Sequence, residues 1–151
     1  MIAEYASVSQ EVRRAGPTQT RDDRLEHTAW QVAATYVLTG EDNSFRGIKP
    51  NNPFKIGGSG WGAVEIGARY TALHLDADSF AAGANSFSDP QTSVKSAKSW
   101  GAVVNWYLNS NVKVQLDYEN TRFDGGAAGP GGTVADRIDE DTIFARFQVA
   151  F

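Results

Sequence analysis

The sequence predicts an all-β protein, an antiparallel up-and-down meander of about six strands. Three observations predict it. Apolar and polar residues alternate with a period of two in segment after segment. Clusters of Gly, Pro, Asn, Asp and Ser separate those segments. The separators differ in length, a tight turn at 108–111 lying between long polar stretches.

The elements follow in order. A weaker strand spans roughly Met1 to Val12. Next, Trp30, Val32, Ala34, Tyr36 and Leu38 alternate with Gln31, Ala33 and Thr35. After Trp61, the residues Val64, Ile66, Ala68 and Tyr70 alternate with Glu65, Gly67, Arg69 and Thr71. Trp100, Ala102, Val104, Trp106 and Leu108 oppose Ser99, Gly101, Asn105 and Tyr107. The clearest case sets Val112, Val114, Leu116 and Tyr118 against Lys113, Gln115, Asp117 and Glu119. In the last strand Ile143, Ala145, Phe147, Val149 and Phe151 share one face, and Arg146 and Gln148 the other. Each strand is near the ~9–11 residues that a tilted membrane strand requires.

The connections complete this outline. Leu108-Asn109-Ser110-Asn111 suits a tight turn, because Asn and Ser side chains bond their own backbone there. The stretches 76–93 and 124–140 read as long loops. The 39–60 connection is long where a short turn is expected, and Pro50, Pro53, Gly57 and Gly58 mark it as an ordered excursion. No domain boundary is visible, so residues 1–151 form one unit.

Composition narrows the function classes. The chain has 151 residues, 41% of them hydrophobic, with no cysteine and a net charge of -4. Disulfides, zinc-thiolate sites and cysteine nucleophiles are excluded. A nucleic-acid partner is not expected, since that needs a concentrated basic face. No run of about 18 apolar residues exists, which excludes a transmembrane helix. The start, Met1-Ile2-Ala3-Glu4-Tyr5, carries no secretory signal. Either the chain is cytosolic or it is a mature or truncated piece of something longer, and the strand pattern favours truncation.

Alternation alone leaves two uses for the apolar stripes. They could pack inward in a soluble β-sandwich, a carbohydrate-binding module stacking exposed Trp and Tyr on sugars. They could instead face lipid in a transmembrane barrel. A barrel enzyme or adhesin is a third possibility, but it would need a catalytic constellation or binding loop that the sequence lacks. The aromatic residues Trp30, Trp61, Trp100, Trp106, Tyr118 and Phe151 fall near strand ends, where amphipathic rings suit a membrane interface. The stripes are rich in Ala and Val, which lipid tolerates because it demands no jigsaw packing. The chain also stops on Phe151 at the end of an alternating strand, where soluble domains commonly fray into polar tails. These observations favour the barrel.

Longer segments carry a family resemblance. Ala34 to Glu41, Arg46 to Pro50, Gly60 to Tyr70 and Val104 to Lys113 are similar to the phosphate- and polyphosphate-selective porins, the porin O and P family. The resemblance covers nearly the whole chain. It implies a sixteen-stranded, usually trimeric barrel in the bacterial outer membrane with a water-filled lumen, of which this chain supplies the C-terminal part. It further implies passive diffusion of small anionic solutes, contact with outer-membrane lipid and lipopolysaccharide, and recognition of the strand ending at Phe151 by the barrel-assembly machinery. No enzyme activity, cofactor or metal is implied.

Alternation assigns a candidate pore-lining set: Glu65, Arg69, Lys113, Asp117, Glu119 and Arg146, with Gln115 and Gln148 beside them. Lys95 and Lys98 are less firmly placed in the same set. Lysine and arginine along a lumen lower the barrier for anions, and carboxylates lower it for cations. The competing expectation is that Arg69, Lys113 and Arg146 pair with Glu65, Asp117 and Glu119 and stiffen the wall. His27 and His74 lack ligand spacing, and the acidic runs at 22–23 and 136–141 read as solvated loop charge.

Overall fold

The computed structural model describes residues 1–16, 20–44, 47–81, 83 and 86–150. It is a single antiparallel meander. β1 (Ile2–Ala15), β2 (Thr20–Val37), β3 (Ala63–His74), β4 (Val94–Tyr107) and β5 (Val112–Ala128) pair in chain order. β5 then pairs with two successive pieces, β6 (Val134–Asp136) near its end and β7 (Glu140–Val149) along its first half. β6 and β7 are therefore one interrupted sixth strand, and the meander of about six strands stands. No helix among the described residues is long and apolar enough to cross a membrane.

The strands outrun their apolar stripes. β2 begins at Thr20, ten residues before Trp30, because the polar stretch in between still pairs with β1. Cross-strand partners supply the reason: Arg13 meets Asp22 at 2.5 Å, and Arg24 donates to the Ser9 hydroxyl at 2.7 Å. Exposed opposite charges facing across a pair stabilise it only slightly, because solvent screens them. The backbone ladder carries the rest. The stretch 124–140 differs from the expected loop for the same reason. β5 continues through Gly125 and Gly126, whose positive φ (75° and 84°) bends the strand, and β6 returns along it.

Register gathers the alternating stripes onto one side of the sheet. Directly opposed residues include Val32 with Tyr70, Ile66 with Val104, Val104 with Leu116, and Leu116 with Ala145. Because opposed residues share a face, every apolar stripe lies on the same, outer face. Among the described residues most of that face lies open, with Phe54 meeting Trp106 at one end: Tyr36 is 68% exposed, Leu116 53%, Phe147 66% and Ile143 75%. Buried apolar residues are correspondingly few, and Val37, Ile48 and Ala63 form a cluster against Tyr107.

That cluster shows what the connection between β2 and β3 does. Val37, Ala63 and Tyr107 belong to the inner face, so Ile48 anchors the connection on that side of the sheet. Asn43 donates to the Thr35 hydroxyl at 2.7 Å, and Phe54 N–H bonds the Leu108 carbonyl at 2.7 Å. The Thr39 hydroxyl and the Asn51 N–H both bond Glu41. Burial opposes the charge on Glu41, but those two donors and its own backbone N–H together outweigh it and hold its carboxyl below the ordinary range. The ordered excursion expected at 39–60 is observed over its described residues, 39–44 and 47–60. At the same end, Asn109 accepts from the N–H groups of Asn111 and Val112 at 2.9 and 3.0 Å, which closes the tight turn.

Candidate functional site

The inner face carries the polar chemistry. All six candidate residues, Glu65, Arg69, Lys113, Asp117, Glu119 and Arg146, lie on it, and register arranges them in rows across the strands. One row runs Glu65, Asn105, Gln115, Arg146; a second, beyond the row of Gly67, Val103, Asp117 and Phe144, runs Arg69, Gly101, Glu119. The face is not uniformly polar, since Val103 and Phe144 flank Asp117.

Glycine makes the second row unusual. Arg69 and Glu119 stand on β3 and β5, with β4 between them, yet the guanidinium bonds the carboxylate directly. They meet because Gly101, facing both, has no side chain to separate them. A Cβ there would lie 3.2 Å from the Tyr118 carbonyl and 3.7 Å from Glu119 Oε2. Ser99 donates to the other Glu119 oxygen at 2.6 Å, so both oxygens are held.

The remaining carboxylates take neutral donors. Glu65 is 6% exposed and accepts from Asn105 Nδ2 and the Tyr107 hydroxyl, both at 3.0 Å. Asp117 accepts from Gln115 at 2.5 Å. The cations divide differently. Arg69 follows the pairing expectation, whereas Lys113 and Arg146 have no carboxylate partner among the described residues. Lys113 Nζ lies 5.6 Å from the Tyr107 ring centroid. It lines a cavity of about 460 Å³ with Tyr107, Gln148 and Lys49. Sequence reasoning missed Lys49, because a residue on a long connection has no alternation to place it. The nearby signal was Ile48, an apolar residue in a polar run.

One expectation needs correction, and one pair lies nearer than its spacing suggests. Lys98 is not on the inner face: it opposes Ala72 and Arg122 on the outer face, two residues from Trp100. Its parity with Trp100 already implied this. His27 and His74 are distant in sequence but adjacent in the sheet, since Thr28 opposes His74. They still do not converge, because neighbouring positions on a strand point to opposite faces. His27 instead accepts the Asp76 N–H at 3.1 Å.

The outer face holds most of the expected interface aromatics. Tyr5 opposes Trp30, and Tyr70 opposes Trp100. Ring contacts join Trp30 to Tyr70 at 5.4 Å and Trp100 to Tyr118 at 5.2 Å. The result is an unbroken aromatic row over five strands. Trp106 and Tyr36 lie toward the other end of the apolar stripe. The separation from Trp100 to Trp106 is about 20 Å at ~3.3 Å per residue. Trp61 lies outside the strands and accepts at its carbonyl from Trp106 Nε1 at 2.7 Å. Phe151 lies outside the described residues.

An open sheet with one apolar, aromatic-rimmed face and one hydrogen-bonded polar face is the wall of a channel in chemical terms. No curated protein matches the chain. The family model described as phosphate-selective porin O and P matches residues 5–151. The chain therefore belongs to the phosphate-selective porin O and P family, a family of outer-membrane channels and not of enzymes.

Proposed function

We propose that this chain is the C-terminal sector of a sixteen-stranded, trimeric outer-membrane barrel through which small hydrophilic anions such as phosphate or polyphosphate diffuse. One observation carries the reading. The apolar stripes of all strands share a single, mostly open face, where a β-sandwich would set a second sheet over it. Lipid fills that role for a barrel, and the polar face then becomes the lumen wall. The inner-face charges are of both signs, and Glu65 and Asp117 meet only neutral donors, so the anion preference rests on the family and on the cations that stand unpaired. Arg69 offsets Glu119, whereas Lys49, Lys113 and Arg146 stand without ion-pair partners among the described residues. Unpaired cations beside water lower the barrier for anions.

The test uses two neighbouring residues on β5. Lys113→Glu puts an anion in the lumen wall, so the channel assembles and its reversal potential in a planar bilayer shifts toward cations. Val114→Arg puts a cation against lipid near mid-stripe and costs ~2–4 kcal/mol, so assembly falls. Gel mobility before and after heating reports assembly. If Lys113→Glu blocks assembly while Val114→Arg is silent, the assignment of faces is inverted. If both assemble with unchanged selectivity, Lys113 does not border the ion path.

A further inference from the structure

Just beyond the aromatic row, the outer face turns basic. Lys98 and Arg122 oppose each other directly on β4 and β5, on the side of Trp100 away from Trp106. Like charges directly opposed across strands repel and destabilise the pair. Arg122 has partial relief from Asp139 at 3.4 Å, while the Lys98 side chain forms no ion pair or hydrogen bond among the described residues. One step further, His74, Ser96 and Asp124 fall opposite one another in register. The register shift between Val94 and Ser96 brings in Lys95. His74, Lys95, Ser96, Lys98 and Asp124, with Phe80, line a cavity of about 520 Å³. It therefore combines two lysines, a hydroxyl and an imidazole with one carboxylate and an aromatic wall.

We propose that this outer-face cavity, with Arg122 at its margin, binds the phosphate of a membrane-lipid headgroup. The proposal rests on the reading of the apolar face as lipid-facing. On that reading the row Tyr5, Trp30, Tyr70, Trp100, Tyr118 marks the level where hydrocarbon gives way to headgroups, because amphipathic rings settle there. The cavity lies immediately beyond it, at headgroup depth, and His74, Ser96, Lys98 and Asp124 enter it from the outer face. A phosphate oxygen between Lys98 and Arg122 would convert a repulsive pair into two charge-assisted hydrogen bonds. Phe80 gives the cavity an apolar wall for the adjoining sugar or glycerol.

The test reconstitutes the assembled barrel that contains this chain in phosphatidylcholine bicelles and titrates lipid A, a diphosphorylated glycolipid, with bound lipid read by native mass spectrometry. Each removed cation, in Lys98→Gln or Arg122→Gln, lowers lipid A affinity about fivefold, and the double variant lowers it roughly 25-fold. Asp124→Asn removes the opposing charge and raises affinity by about fivefold, a gain that misfolding cannot produce. Lys113→Gln, on the inner face, leaves affinity within about twofold. Equal loss in Lys113→Gln, or no loss in the double variant, overturns the proposal. So does inorganic phosphate binding as tightly as lipid A with the same dependence on Lys98, which would make the cavity a free-anion site. Tryptophan emission separates the two levels of the argument. An assembled barrel whose tryptophan emission stays water-like in bicelles loses the lipid-facing reading and this site together. A barrel that inserts but binds lipid A no better without Asp124 and no worse without Lys98 loses the site alone.

Discussion

At the scale of residues, the contact with most consequence is Arg69 to Glu119 across Gly101. The guanidinium offsets a carboxylate that would otherwise favour cations in the lumen. Glu119→Gln leaves Arg69 unpaired and moves the reversal potential toward anions; Arg69→Gln moves it the other way. Gly101→Val tests the geometry apart from the charge. Its side chain intrudes between the partners, and its Cβ already crowds the Tyr118 carbonyl at 3.2 Å. Selectivity in Gly101→Val should therefore move as the bridge opens, although no charge has changed. Unchanged selectivity in all three would show that this row does not border the ion path. Half of this was legible beforehand. Alternation places Arg69 and Glu119 on one face, but only register can show that they meet across a third strand.

At the scale of elements, two connections owe their order to a few polar contacts. Asp76 accepts the Glu26 N–H at 2.7 Å and the Asp78 N–H at 3.0 Å, which ties the β3–β4 connection to β2. These donors, the Glu26 N–H foremost, hold the Asp76 carboxyl below the ordinary carboxylate range. A folded pKa below the unfolded value, ~3.9, means the tie is complete above that value and is lost as pH falls through the lower folded one. Relative to the intrinsic rate at each pH, amide exchange at Glu26 and Asp78 should thus stay protected at neutral pH and lose that protection, and so quicken against the intrinsic rate, only in acid. Asp76→Asn, which removes the charge at every pH, should quicken it already at pH 7. In the other connection, Gly62 has φ of 81°, and a Cβ there would lie 2.3 Å from the Tyr107 carbonyl. Gly62→Ala should loosen the start of β3 and detach Ile48 from Val37 and Ala63, seen as faster amide exchange at Val64. Exchange unchanged in Gly62→Ala would mean that the backbone shifts there at little cost.

At the scale of the whole molecule, β1 and β7 each pair on one side only among the described strands. An unpaired edge exposes backbone N–H and C=O groups that invite other chains, and in hydrocarbon each unmet group costs several kcal/mol. The mostly open apolar face adds to the same demand. The 151-residue chain by itself should aggregate in plain buffer and disperse in detergent. A soluble monomer with a sharp thermal transition would contradict the lipid-facing reading and favour a sandwich.

The sequence by itself determined the fold class, the strand faces and the family. Each of these is local: a period of two assigns Val114 and Lys113 to opposite faces whatever the neighbours do, and the family's segments are contiguous. It placed β2 too short, because residues 20–28 are polar outward and only pairing with β1 makes them strand. Tertiary structure alone decided which stripes adjoin, that Lys49 reaches the cavity beside Lys113, and that Lys98 confronts Arg122. The physical reason is that register is a relation between strands. Hydrogen-bond ladders and turn geometry set it across tens of residues, and alternation within one strand carries no record of it.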